Sequence, residues 1–146
     1  MLKRERILVV EDDPQVAEIL QWNLFAAGYP VTIVQDGLAA LRVFDEERPA
    51  LVTIDLNVPT VSGFRLLSLF KRAAPHVPVL VITASAFEEV EDVARDGADD
   101  FITKPFDPYQ VVRKVEYHLR RTQTAQSPSP PRSVPAPRRA VPVEIA

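Results

Sequence analysis

Four short apolar runs each give out at a residue that can do chemistry. Ile7 to Val10 runs into Glu11, Asp12 and Asp13; Leu51 to Ile54 ends on Asp55; Val79 to Ile82 leads to Thr83; Phe101 and Ile102 lead through Thr103 to Lys104. The end of a buried strand is where a side chain can leave the core and meet solvent. Carboxylates gathered in one shallow pocket repel one another. A hard divalent cation relieves that repulsion, and Mg²⁺ is the expected one, because it takes one or two carboxylates and keeps several waters. Phosphoryl transfer asks a protein mainly for position and for positive charge around the equatorial oxygens. In such a set Asp55 is the nucleophile that forms an acyl phosphate. Mg²⁺ and the Lys104 ammonium stabilise the transferring group, and the Thr83 hydroxyl donates to a phosphate oxygen. Taken alone, Asp55 would be an ordinary strand-end acid capping a turn; its companions at the other strand ends give it a function.

Convergence depends on the elements that carry these residues. Asp13 and Pro14 form a cap-plus-proline start for a first helix with Val16, Ile19, Leu20, Leu24 and Ala27 at helical spacing, ended by Gly28. Pro30 to Val34 is a second strand, placed near an edge because proline opens it. Asp36-Gly37 marks a turn, and Leu38, Leu41, Val43 and Phe44 a second helical face that stops near Arg48-Pro49. After Asp55, Pro59 turns the chain, and Ser62-Gly63 opens a third helix that stops before Pro75. Phe87, Val90, Val93 and Ala94 mark a short fourth helix with an acidic outer face, capped by Gly97. Asp107-Pro108 repeats the helix-start signal, and Val111, Val112, Val115 and Leu119 carry the last helix to about Arg121.

Five strand–helix units thus alternate without a break, which predicts an α/β fold. Right-handed crossovers leave few topologies. The simplest is a doubly wound five-stranded parallel sheet, (βα)5 and flavodoxin-like, with strand order 2-1-3-4-5 and a switch point between strands one and three. In that order Glu11, Asp12, Asp55, Thr83 and Lys104 all open on one edge.

The 146 residues suit one domain, and 47% hydrophobic content suits a sizeable core. No cysteine is present, so there is no disulfide and no thiolate metal site, and a cytoplasmic setting is expected. The apolar run after MLKRER is too short for a signal peptide and meets acids at once. No run approaches a membrane span. A formal charge of −3 gives no generic nucleic-acid surface, and no direct DNA binding by this chain is expected. The charge is uneven: residues 1–122 hold 14 basic and 19 acidic residues, a net −5, and residues 123–146 hold three Arg and one Glu, a net +2. Six of the 14 prolines fall within 128–142. The expected division is a domain over 1–122 and a proline-rich, disordered tail or linker over 123–146, with a weak alternation at Val141, Val143 and Ile145 that suits a short edge strand or a docking peptide. Only four glycines occur, with no glycine-rich phosphate loop and no Ser–His or Cys–His pair, so a metabolic enzyme is not expected. His76 and His118 read as surface or boundary residues, and Trp22 as rim packing.

With ILVVEDDP, DLNVPTVSGF, VLVITAS and GADDFITKPFD in hand, the chain resembles a bacterial two-component response-regulator receiver domain over about residues 5–121. The resemblance implies that Asp55 accepts phosphate from a sensor histidine kinase or phosphotransfer protein. It implies that Asp12 and Asp55 bind Mg²⁺ directly, that Glu11 acts largely through water, and that Asn57 supplies its backbone carbonyl. Thr83 and Phe101 become the switch pair, Lys104 contacts the phosphoryl group, and Pro105 follows a cis peptide bond. The interval from Thr83 to Lys104 is slightly short for the family, which predicts a trimmed or shifted fourth helix. The implied output is a downstream effector protein, met at a face built by helix four, strand five and helix five. A homodimer through the same face would use Asp99, Asp100 and Arg113 in cross-subunit ion pairs. The ending Leu119-Arg120-Arg121 resembles regulators that continue into a winged-helix domain, so the alternative is the receiver portion of a DNA-binding transcriptional regulator.

Overall fold

The computed structural model describes residues 2–84 and 87–126. Of the expected tail, residues 127–146, with the proline-rich stretch and the weak alternation at Val141, Val143 and Ile145, therefore lie outside the described residues. Ten elements alternate in chain order: β1 (Ile7–Val10), α1 (Pro14–Ala26), β2 (Val31–Val34), α2 (Gly37–Glu47), β3 (Leu51–Ile54), α3 (Gly63–Ala73), β4 (Val79–Thr83), α4 (Phe87–Arg95), β5 (Asp100–Thr103) and α5 (Pro108–Gln126). The strands form one sheet in the order β2-β1-β3-β4-β5, with every pair parallel. This is the expected doubly wound arrangement, with the switch point between β1 and β3.

The three central strands are buried throughout, as continuous apolar runs covered on both faces must be. Alternate residues feed two separate cores. On one face Leu8, Val10, Val52, Ile54, Val79 and Val81 pack with Val43, Leu66, Phe70 and Val93 of α2, α3 and α4. On the other, Ile7, Val9, Leu51, Leu80, Ile82 and Ile102 pack with Leu20 and Leu24 of α1 and Val111, Val115 and Leu119 of α5. Phe44 and Phe70 stack with centroids 4.1 Å apart, which locks α2 to α3.

Local signals set most helix ends. Asp13 caps α1 by accepting from Gln15 N at 2.9 Å, with Pro14 opening the helix. Gly28 and Gly97, at φ of 101° and 103°, follow α1 and α4 in the left-handed region. Ser62 caps α3. Asp36 is not merely a turn residue: it is the N-cap of α2, and Gly37 is the first helical residue. Helix α4 is the shortest of the five at 9 residues, in keeping with the short Thr83–Lys104 interval. Helix α5 runs on to Gln126, past the expected stop near Arg121. Gln, Thr and Ala at 123–126 carry no apolar period but do not forbid a helix; Pro128 is the first residue that does.

Two side chains depart from expectation. Trp22 is 67% exposed on the outer face of α1, so it packs on no rim. His118 is buried at 4% exposure, because α5 turns it inward against β5. No helix among the described residues is long and apolar enough to cross a membrane.

Candidate functional site

Parallel register brings the strand ends to one edge. Val10 pairs with Ile54, so Glu11 and Asp55 are the next residues on adjacent strands, and Asp55 N donates to Val10 O at 3.0 Å. Thr83 pairs with Thr103, and Lys104 N donates to Thr83 O at 2.9 Å. The carboxylates of Glu11, Asp12 and Asp55 each offer an oxygen within 4.8 Å of the others, the only such acidic or histidine group among the described residues. Glu11 and Asp55 are buried; Asp12 faces solvent.

Lys104 completes the site. Its Nζ lies 2.9 Å from Glu11 Oε1 and 2.9 Å from Asp55 Oδ2. The side chain is 19% exposed, its stem covered and its ammonium turned to the acids. The Lys104–Pro105 peptide is cis, as expected. Backbone donors hold the remaining carboxylate oxygens: Asp13 N donates to Glu11 Oε2 and Asn57 N to Asp55 Oδ1, both at 3.1 Å. The Asn57 side chain itself is exposed.

These surroundings set the protonation chemistry. Burial pushes the Glu11 carboxyl up to about 7; hydrogen bonds from Lys104 and Asp13 pull against this, and the Asp55 charge adds to the rise. For Lys104, burial works to lower the pKa, but hydrogen bonds to Asp55 and Glu11, reinforced by their charges, outweigh it and leave the ammonium held above its ordinary value. One cation thus lies within hydrogen-bond reach of two acids. The donor set is hard oxygen only, concentrated at one rim, and it fits Mg²⁺.

Thr83 is fully buried at the end of β4, next in the sheet to Thr103 and Lys104. Phe101 is placed differently. It pairs with Val81, two residues before Thr83, and lies half-buried against the α2–α3–α4 core rather than at the acidic rim.

Three groups escaped the sequence pattern. Thr60 and Asp36 join the loop after Asp55 to the start of α2 through hydrogen bonds. Only the Pro59-Thr60 turn and the Asp36-Gly37 pair hinted at them. Lys71 Nζ donates to Pro75 O, Val77 O and Asp99 Oδ2, stapling the end of α3 to the start of β5. Asp100 takes Lys114 Nζ at 2.8 Å on one oxygen and sits 2.8 Å from His118 Nε2 on the other. Asp99 and Asp100, expected to meet Arg113 of a second copy, are therefore engaged within the chain. Nothing in a sequence period says whether a strand-edge acid finds its partner inside or outside.

Comparison with known proteins agrees with this geometry. The response regulator receiver domain family matches residues 7–116. The DNA-binding response regulator MtrA of Mycolicibacterium smegmatis is 39% identical over 123 residues, 82% of this chain and 53% of that protein. The alkaline phosphatase synthesis transcriptional regulatory protein PhoP of Bacillus subtilis is 36% identical, over 83% of this chain and 51% of its own length. The chain thus spans about half the length of these curated relatives. Among solved structures, the CheY-like receiver domain protein of Methanospirillum hungatei superposes with a TM-score of 0.80 at 25% identity, covering 86% of this chain and 99% of its own. An acidic rim with its lysine, on a sheet of this order and with these relatives, means that the chain belongs to the response regulator receiver domain family of two-component systems.

Proposed function

We propose that this chain is a phosphorylation-driven switch working in the cytoplasm. Asp55 accepts a phosphoryl group from a histidine kinase or phosphotransfer protein, and the modified domain changes its hold on a downstream effector protein. The observation that carries this is the position of Lys104 Nζ, 2.9 Å from both Glu11 and Asp55. An ammonium so placed neutralises the nucleophile at rest and meets the phosphoryl oxygens once Asp55 is modified. In the transfer, one Asp55 oxygen forms a bond to phosphorus. The phosphorus–nitrogen bond to the donor imidazole breaks, and its electron pair stays on that nitrogen.

Asp12 and Asp55 would hold Mg²⁺, with Glu11 through water and the Asn57 backbone carbonyl completing the protein ligands; the ion supplies charge neutralisation for the phosphoryl group. Thr83, buried beside Thr103, donates its hydroxyl to a phosphoryl oxygen, and the half-buried Phe101 repacks in response. Two packings of one aromatic would give the bistable element that a charge change at Asp55 biases.

Treating the full chain with acetyl phosphate and Mg²⁺ is expected to add one phosphoryl group by intact mass. Asp55→Asn abolishes the adduct. An unmodified wild-type chain, or an adduct that survives Asp55→Asn, removes the basis for this function.

A second function has one observation behind it: the relatives of which the chain spans half are named as DNA-binding or transcriptional regulators. In that case the same switch drives a DNA-binding output. Reading the gene past the Ala146 codon tests this, and a stop codon directly there excludes it.

A further inference from the structure

The loop between β3 and α3 is tied to a helix that supplies no residue to the acidic rim. An α-helix opens with four backbone N–H groups that have no partner within the helix. In α2, capped by Asp36, those of Gly37, Leu38 and Ala39 all find acceptors: Gly37 N donates to Pro59 O at 2.9 Å, Leu38 N to Thr60 Oγ1 at 3.0 Å and Ala39 N to Asp36 Oδ1 at 2.9 Å, and the ladder itself begins with Ala40 N donating to Asp36 O at 3.1 Å. Two of the acceptors come from the loop, at Pro59 and Thr60. The Thr60 hydroxyl then donates to Asp36 Oδ1 at 3.3 Å, so one hydroxyl bridges the N-cap and Leu38 in the first turn. Contact is close enough that a Cβ on Gly37 would fall 2.1 Å from Val61 O.

Thr60 sits here at φ of 70°. A β-branched residue in the left-handed region is strained, and glycine or asparagine would enter it more easily. Strain of this kind persists only where the surroundings over-determine it. The double hydrogen bond of the hydroxyl, which glycine cannot make, is what fixes Thr60.

The same loop begins at Asp55. Asn57 N donates to Asp55 Oδ1 at 3.1 Å, and Gly63 N closes the loop by donating to Leu56 O at 3.0 Å. Asn57, whose carbonyl is the proposed backbone ligand, thus lies between two anchors: the Asp55 carboxylate before it and the Thr60 clamp on α2 after it. Mg²⁺ demands near-ideal octahedral geometry, so a ligand on a loose loop binds it poorly. We infer that Thr60 is a positioning residue for the metal site, its hydroxyl clamping the β3–α3 loop to the start of α2 so that the Asn57 carbonyl and the Asp55 carboxylate keep the spacing the ion requires. This rests on the Mg²⁺ site proposed above.

Three full-length variants separate the hydroxyl from the strain. Thr60→Val keeps the shape and the strain without the hydroxyl, Thr60→Gly removes both, and Thr60→Ser keeps the hydroxyl. Mg²⁺ affinity is read by titration calorimetry, and folding by far-ultraviolet circular dichroism. Groups that hold metal ligands in place typically contribute 10-fold or more to affinity, so Val and Gly are expected to weaken Mg²⁺ binding about tenfold, and Ser by no more than about twofold. Val binding Mg²⁺ as tightly as the unsubstituted chain overturns the inference. So does Gly binding normally where Val does not, because strain and not the hydroxyl would then govern. Should Val fail to fold, the Ser and Gly pair decides alone. An unsubstituted chain that binds no Mg²⁺ overturns the metal site itself, a result distinct from either.

Discussion

Glu11 is 1% exposed, shares Lys104 with Asp55, and holds its proton up to about pH 7. A proton there and a divalent cation at the rim compete for the same charge. Mg²⁺ affinity should therefore rise between about pH 6 and about pH 8, and calorimetry in buffers of different ionisation enthalpy should show more proton release on binding at about pH 6 than at about pH 8. The metal-free chain should follow the opposite trend. The folded pKa of Glu11 lies above its ordinary 4.5, so its contribution to stability is fully present below 4.5 and is lost as pH rises through about 7. Urea unfolding with chelator should give a lower midpoint at about pH 8 than at about pH 6, and Glu11→Gln should flatten that slope. A pH-independent Mg²⁺ affinity would count against the shared-charge account. The three residues involved were legible in the sequence because each ends an apolar run. That one ammonium serves both acids was not, since a pattern gives the strand end but not the reach of a lysine. Thr60 left almost no trace, because its role depends on a φ angle that no residue type announces.

Element by element, the sequence carried more. Most strand and helix starts showed a local signal: an apolar run, a cap, or a proline at the first turn. What it hid were the ties between elements. The clearest is the clamp of α5 on β5, in which Asp100 faces Lys114 and the buried His118 one turn apart, while its own oxygen also accepts from Phe101 N at 2.8 Å. Burial works to raise the Asp100 pKa, but the hydrogen bonds from Lys114, His118 and Phe101 outweigh it, and the carboxyl is held below its ordinary 3.8. Its contribution is therefore present above 3.8 and is lost as pH falls through the depressed value. Asp100→Asn should cost about 1–3 kcal/mol near neutral pH, the range for hydrogen bonds to a charged group and for the buried partner left behind. Urea unfolding at neutral pH and again in acid, below the carboxylate range, measures it: the gap between variant and wild type should close in acid. An equal gap at both pH values would mean that the residue acts by packing and not by charge.

The molecule as a whole is divided by its sheet into two cores, and the division decides where an event at Asp55 can be felt. Continuous apolar strands do not reveal which of their residues face which layer, so this partition was not legible beforehand. Leu56 and Val58, the apolar residues that follow Asp55, both enter the α2–α3–α4 core, and Phe101 packs against the same core. The α1–α5 core receives no residue of that loop. Packed cores respond by switching between discrete arrangements, and a contiguous set of side chains is the route for coupling that the fold offers. Loading Asp55 with beryllofluoride and Mg²⁺ should therefore change amide hydrogen exchange several-fold in residues 56–70 and 98–103, while residues 16–26 of α1 stay near their unloaded rates. Hydrogen-exchange mass spectrometry on the full chain reads both regions in one experiment. A response in α1 as large as that in β5 would show that the sheet does not insulate its two faces, and that the route from the phosphoryl group to a partner is not the core that holds Phe101.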